Sequence, residues 1–490
     1  MPSSLPSTIG ETAALLRRHE TTALELAETS LALAGVDEHN AWLRLCADRA
    51  RRQAAAADLR LAQGDPSPLC GVPWACKDII GTEGVETTAG SRILEGYVPP
   101  YSATVVKRLD AADALLPGKT NLDEFAMGSS SENSAFGAVR NPWCPDRVPG
   151  GSSGGSAVAV ATGAVLFALG TDTGGSIRQP AALSGVVGMK PTYGRVSRYG
   201  VVAFASSLDQ VGPFARDVAG AATVCEALFG LDPSDATSMP RPLEDLGREL
   251  QLGVEGMRLG VPKEFFVEGM EPGVEAAVRE ALRVLEGLGA KLVEVSLPST
   301  DHGLAVYYVI QPAEASANLA RYDGVRYGLR VEGPDLVETY RRTRGEGFGP
   351  EVKRRMILGT YALSSGYYDA YYVKAQKVRT LIKSEFDRVF EDVDALVTPT
   401  SPGVAFPIGA KTDDPLAMYL NDAYTLPVNI AGLPGISIPC GLSDGLPVGL
   451  QVIANSWREA TMFRVAAAFE RATAHASLRP PAPATTCSGR

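Results

Sequence analysis

The sequence predicts an α/β protein in which helices cover a β-sheet, and three observations carry that prediction. From about 103 to 205, helix-like segments such as "SATVVKRLDAADA" alternate with short apolar strands, "GAVLFALGT" at 163–171 and "VVGMKPT" at 186–192. At 274–288, "VEAAVREALRVLEGL" puts Val274, Val278, Leu282 and Leu285 on one helical face, and the strand "KLVEVSLP" follows the stop signals Gly287 and Gly289. Across 490 residues, 45% are hydrophobic and 21% charged, the balance of a soluble globular chain.

Taken in order, residues 8–35 and 37–63 read as two helices, an N-terminal lead-in over 1–63. "GVPWACKDII" at 71–80 reads as a buried strand carrying Lys77. A Tyr-rich helix is expected over 355–380, with Tyr367/Tyr371 and Tyr368/Tyr372 as i,i+4 pairs and packing as the expected role of the stripe. Strands follow at "ALVTPT", "GISIPCG" and "VGLQVIA", then a closing helix at 458–474. The resulting division is one catalytic domain over 64–475 and a flexible tail over 476–490.

Several function classes are excluded. The longest uncharged window, Val148 to Thr171, is Gly/Ser-rich in its first half, and its apolar part is too short to cross a core of about 30 Å. With no secretory signal pattern at the N-terminus, a cytoplasmic protein without membrane contact is expected. Seven scattered cysteines form no CxxC and read as reduced thiols, and the four histidines lack metal-ligand spacing, so no metal site is expected. The net charge of −10 comes with no basic run of the kind that tracks a phosphate backbone.

Chemistry concentrates in "PGGSSGGSAVAVATG" at 149–163. A linker would not run straight into an Ala/Val helix. The Walker pattern fails, because the only Gly-Lys-Thr, at 118–120, has Asp113 where its first glycine belongs. The stretch matches GxSxG twice, but "NPWCPDRVP" before it, with three prolines, makes a poor central strand for a nucleophile elbow. A second cluster, "GTDTGGSIRQP" at 170–180, suits catalysis better. Gly174 and Gly175 allow close backbone approach, so that N–H groups of Thr173, Gly174, Gly175 and Ser176 can converge on one oxyanion. Ser176 is the nucleophile candidate. No histidine lies between 40 and 301 to activate it, which leaves lysine. A lysine titrates near ~10.4 in water, and burial lowers that by up to ~3–5 units. Lys77 has the apolar setting, and Asp78 faces away from it in a strand.

"GGSSGGSAVAV" followed by "GTDTGGSIRQPA", with "GVPWACKD" upstream, closely resembles the amidase signature family, whose motif matches 150–181 without a gap. The resemblance implies that family's fold, a large mixed sheet with helices on both faces in a single catalytic domain. It also implies a triad of Ser176 as acyl-enzyme nucleophile, Ser152 as bridging serine after a cis Gly151–Ser152 bond, and Lys77 as base.

The stretches 118–137, 351–372 and 413–441 further resemble the branch of the family that hydrolyses glutamine for tRNA-dependent amidotransferases. That likeness implies a heterotrimer with B and C subunits and no cofactor in this chain. ATP and Mg are expected at the B subunit, which also holds most of the misacylated Glu-tRNA(Gln) or Asp-tRNA(Asn). For the free glutamine it implies Arg355 at the carboxylate, Asp422 at the ammonium and Tyr307 lining the pocket. The alternative reading is a stand-alone amidase for small amides.

Overall fold

In a computed structural model of the chain, which describes residues 4–481 except 65, 243, 267 and 268, the apolar runs become strands of one sheet. They are β1 (Trp42–Leu45), β2 (Pro73–Lys77), β3 (Leu115–Thr120), β4 (Phe167–Asp172), β5 (Val187–Lys190) and β6 (Gln210–Ala215) in the first half. The second half adds β7 (Arg258–Pro262), β8 (Lys291–Val295), β9 (Ala395–Pro399), β10 (Gly435–Ser443) and β11 (Leu446–Ala454). The sheet order is β1-β3-β2-β4-β6-β5-β10-β11-β9-β7-β8. β2 is parallel to β3 and β4, and β7 is parallel to β8 and β9. Antiparallel pairings through β6, β5, β10 and β11 join these two parallel sets into one mixed sheet.

Every residue of β2, β3, β4, β5, β6, β9 and β11 is buried, so helices and loops cover both faces there. Strands buried on both sides need no alternation of polar and apolar residues, which is why "PWACK" and "FALGTD" show none. The same cover takes the Lys77 side chain out of water. The helix Pro272–Gly287 buries Val274, Val278, Leu282 and Leu285, the face expected from its periodicity.

Three local expectations are corrected. The segment 8–35 is two helices, Ile9–Arg17 and Ala23–Gly35, because Thr22 and Glu25 form a reciprocal capping box that starts a new helix. The second helix of the lead-in is shorter than expected. Trp42–Leu45 pairs antiparallel with β3 at the sheet edge, and the helix expected over 37–63 begins only at Ala47. In the Tyr-rich stretch, helices Pro350–Ala362 and Lys374–Asp392 are separated by a break near Gly366 (φ +87°) and a π-turn at Asp369–Val373. Tyr361, Tyr367 and Tyr371 stay exposed and pack on one another, and the exposed Tyr368 packs on Tyr372.

Cys46, Cys70, Cys76, Cys225 and Cys440 are free and buried, whereas Cys144 is disulfide-bonded, which corrects the expectation of a reduced thiol at that position. Of the expected tail, residues 482–490 lie outside the described residues. Among the described residues, no helix is long and apolar enough to cross a membrane.

Candidate active site

β2 ends on Lys77, and the chain then turns so that Asp78 goes elsewhere: it pairs with Lys119 at 3.1 Å and accepts from Thr88. Lys77 is fully buried, and its Nζ lies 2.7 Å from Ser152 Oγ, 2.8 Å from Ser153 Oγ and 2.9 Å from Thr171 Oγ1. Burial pushes the Lys77 ammonium down to about 7, against the opposing fields of Asp123, Asp172 and Asp209. A lysine poised there can be a base near neutral pH.

The two serines beside it are not equivalent. Ser153 Oγ donates its hydrogen to the Thr171 carbonyl at 3.1 Å and can only accept from Lys77. Ser152 Oγ has no such acceptor among the described residues, so its proton is the one a neutral Lys77 can take.

The Gly151–Ser152 peptide is cis, as the resemblance implied. Gly151 is hemmed in: a Cβ there would sit 2.7 Å from the Ser130 and Ser131 nitrogens and would overlap an Asp123 carboxylate oxygen. Asp123 anchors the overlying loop by accepting from Ser131 N at 2.8 Å and Asn133 N at 3.0 Å. Gln179 ties that loop to the serine turn, accepting from Gly151 N at 3.0 Å and donating to the Ser129 carbonyl at 2.9 Å.

β4 delivers the turn that carries Ser176. At its last residue, Asp172, both carboxylate oxygens are used. They accept from Gly175 N at 2.9 Å, Ile177 N at 3.1 Å, Asn429 Nδ2 at 2.8 Å, and Arg178 Nε and Nη2 at 3.0 Å each. Burial alone would raise the Asp172 carboxyl, but Arg178 and the other donors outweigh it and hold it at about 2.

This clamp corrects one expectation. The Gly175 N–H, turned back by φ +143°, is engaged by Asp172 and is not a free oxyanion donor. The N–H groups of Thr173, Gly174 and Ser176 have no acceptor among the described residues and remain available. Ser176 is 8% exposed while Lys77 and Ser152 are at 0%, so the nucleophile candidate is the member of the set that faces outward. No hydrogen bond joins its hydroxyl to Ser152 among the described residues. Catalytic contacts of this kind commonly tighten when substrate arrives.

Of the residues expected to bind glutamine, Tyr307 and Asp422 border this turn, and Arg355 is reached through Tyr308. A Cβ at Gly174 would lie 2.8 Å from the Tyr307 ring, and one at Gly175 would lie 3.4 Å from Asp422 Oδ1. Asp422 Oδ2 accepts from Ser129 Oγ, while Oδ1 is buried without a hydrogen-bond partner among the described residues. Burial pushes the Asp422 carboxyl up to about 7. Arg355 lies on the half-buried Tyr308 and on Tyr419, 5.2 and 5.3 Å from the ring centres. Tyr308 in turn meets the Tyr307 ring edge-on at 5.1 Å. Of the adjacent tyrosines, Tyr307 therefore touches the Ser176 turn and Tyr308 touches the arginine.

Sequence reasoning missed Ser153, Thr171, Asp172, Arg178 and Gln179. All five lie inside or next to the two glycine clusters, so their position was a signal even though their partners were not.

A family model described as Amidase matches residues 25–463. The chain belongs to the amidase family. It is 60% identical over 464 residues to the A subunit of glutamyl-tRNA(Gln) amidotransferase from Chloroflexus aggregans, covering 94% of this chain and 95% of the relative. It is also 60% identical over 469 residues to the protein of that name from Myxococcus xanthus, covering 95% and 96%. Among solved structures, the A subunit of glutamyl-tRNA(Gln) amidotransferase from Thermotoga maritima matches with a TM-score of 0.79 at 45% identity, over 95% of this chain and 94% of that one. The peptide amidase of Stenotrophomonas maltophilia matches with a TM-score of 0.84 at 32% identity, over 98% and 99%.

Proposed function

We propose that this chain is the glutamine-hydrolysing subunit of a tRNA-dependent amidotransferase. The observation that carries the reading is three features brought together: a buried lysine of lowered pKa on a serine hydroxyl, an outward serine on a glycine turn, and, against that turn, an Asp422 oxygen with no hydrogen-bond partner among the described residues that lies in the field of Arg355. That set suits an amide whose far end bears both an ammonium and a carboxylate. The 60% identity to an amidotransferase chain, against 32% to a peptide amidase, favours the glutaminase role over a stand-alone amidase.

In the mechanism, neutral Lys77 takes the Ser152 proton as Ser152 takes that of Ser176, and Ser176 Oγ attacks the glutamine side-chain carbonyl. The N–H groups of Thr173, Gly174 and Ser176 hold the oxyanion, each such donor being worth about 10²–10³ in rate. The proton returns through Ser152 to the leaving nitrogen, ammonia departs, and water hydrolyses the glutamyl ester by the same relay. The ammonia passes to a B subunit, which binds most of the misacylated tRNA and uses ATP and Mg to activate its acyl group, with a C subunit completing a cytoplasmic heterotrimer. The products are Gln-tRNA(Gln), Asn-tRNA(Asn) or both.

The test is ammonia release from glutamine by the chain co-purified with its partner subunits. Ser176→Ala abolishes release if the reading holds, and undiminished release overturns it.

A further inference from the structure

We propose that Gln311 belongs to the substrate site, where its side-chain amide donates a hydrogen bond to the same carboxylate that Arg355 binds. The inference deepens the glutaminase reading and rests on it. Gln311 makes the site select a free amino-acid amide over one that lacks the carboxylate.

The argument starts from donor accounting at Arg355. Its Nε donates to Glu351 Oε1 at 2.7 Å and its Nη1 to Gln311 Oε1 at 3.1 Å. Arginine has donors only, so the oxygen of the Gln311 amide must be the atom that faces it. That leaves Nε2 on the other branch, and Nε2 is buried with no partner among the described residues. Gln311 is 0% exposed, and an unmet donor in such a place is costly enough to call for a ligand that meets it.

The helix that carries Gln311 places it where a ligand would pass. Tyr307 and Gln311 are i,i+4 neighbours on one face of the helix Gly303–Asn318. Tyr307 lies against Gly174 of the Ser176 turn, and Gln311, one turn further on, lies against Arg355. One helical turn rises about 5.4 Å. Glutamine spans four C–C bonds from its side-chain amide carbon to its carboxylate carbon, roughly 5 Å when extended. A substrate with its amide at the Ser176 turn therefore brings its carboxylate level with Gln311 and Arg355.

The register is enforced by backbone contact. A Cβ at Gly359 would overlap the Pro312 carbonyl oxygen, so helices 303–318 and 350–362 touch one residue from Gln311 and one turn from Arg355.

The experiment uses the full chain with its partner subunits, glutamine, and 4-aminobutanamide, which is glutamine without its carboxylate. Gln311→Leu is expected to lower the ratio of kcat/KM for glutamine to that for 4-aminobutanamide about 10- to 100-fold, the worth of a hydrogen bond to a charged group, with the loss in KM. Gln311→Glu keeps an acceptor for Arg355 but turns an anion toward the substrate, and is expected to lower the ratio at least as far. Wild-type KM in Gln311→Glu would assign Gln311 to holding Arg355 alone, and an unchanged ratio in Gln311→Leu would remove it from the carboxylate; either result overturns the proposal. In the Ser176→Ala background, the glutamine-induced rise in melting temperature should vanish with Gln311→Glu, and its persistence also overturns the proposal. A wild-type enzyme that does not prefer glutamine overturns the glutaminase reading itself, before any variant is compared.

Discussion

Replacing Lys77 with methionine separates what the buried lysine does for chemistry from what it costs the fold. In the unfolded chain Lys77 titrates near 10.5, and in the folded protein at about 7, because burial disfavours its charge. Between those values the unfolded state holds one more proton than the folded state. Stability therefore rises with pH in this window, by about 1.36 kcal/mol per unit from this group. From pH 7.5 to 9.0 the gain is about 2 kcal/mol. Lys77→Met has no such contribution, and its lost contacts to Ser152, Ser153 and Thr171 add a term that does not titrate. Lys190, also brought down to about 7 by burial, is common to both proteins and cancels in the difference. Urea unfolding of both proteins at the two pH values should show wild type gaining about 2 kcal/mol on Lys77→Met, while the variant releases no ammonia at either pH. Parallel stabilities across the interval would refute a low-pKa Lys77 and with it the base assigned to the mechanism.

Three further outcomes are expected. Ser152→Ala should lower kcat by about 10²–10⁴, the range for losing a proton relay, whereas Ser153→Ala, whose hydrogen is spent on the Thr171 carbonyl, should lose about tenfold; the reverse ranking in steady-state kinetics would exchange their roles. Gly175→Ala, which forces a Cβ onto the Thr425 hydroxyl at φ +143°, should cut kcat by about 10²–10³ with the far-ultraviolet spectrum unchanged, and near-normal turnover would count against the turn as an oxyanion site. Asp422, raised to about 7 by burial, must ionise to accept the substrate ammonium. Acidification should therefore depress kcat/KM through two groups near pH 7, Asp422 and Lys77, and kcat through Lys77 alone. Asp422→Asn should raise KM and leave one group in the kcat/KM profile, and an unaltered profile would exclude Asp422 from binding.

Much of the site was legible along the chain because its chemistry depends on local features. A lysine inside "PWACK" must be buried once that strand is central, and glycines at 174 and 175 are required where Leu426, Tyr307 and Thr425 press on the turn. The helix over 272–287 was legible for the same reason, since its buried face repeats with the helical period. The edge strand at 42–45 was not, because four residues beside an Ala/Arg-rich helix carry too short a pattern to outweigh it.

What the sequence by itself determined is the set of reacting groups and the glycines that let backbone approach them, both properties of residue type and spacing. Only the tertiary structure decided how those groups divide the work. Ser152 is distinguished from Ser153 by a carbonyl on β4, 18 residues from Ser153. Gly175 is withdrawn from the oxyanion donors by the Asp172 carboxylate, which Arg178 and Asn429 hold in place. Arg355 meets Gln311 across two helices, 44 residues apart. Hydrogen bonds depend on distance in space, and a buried donor takes whichever acceptor the fold brings to it, which local pattern does not encode.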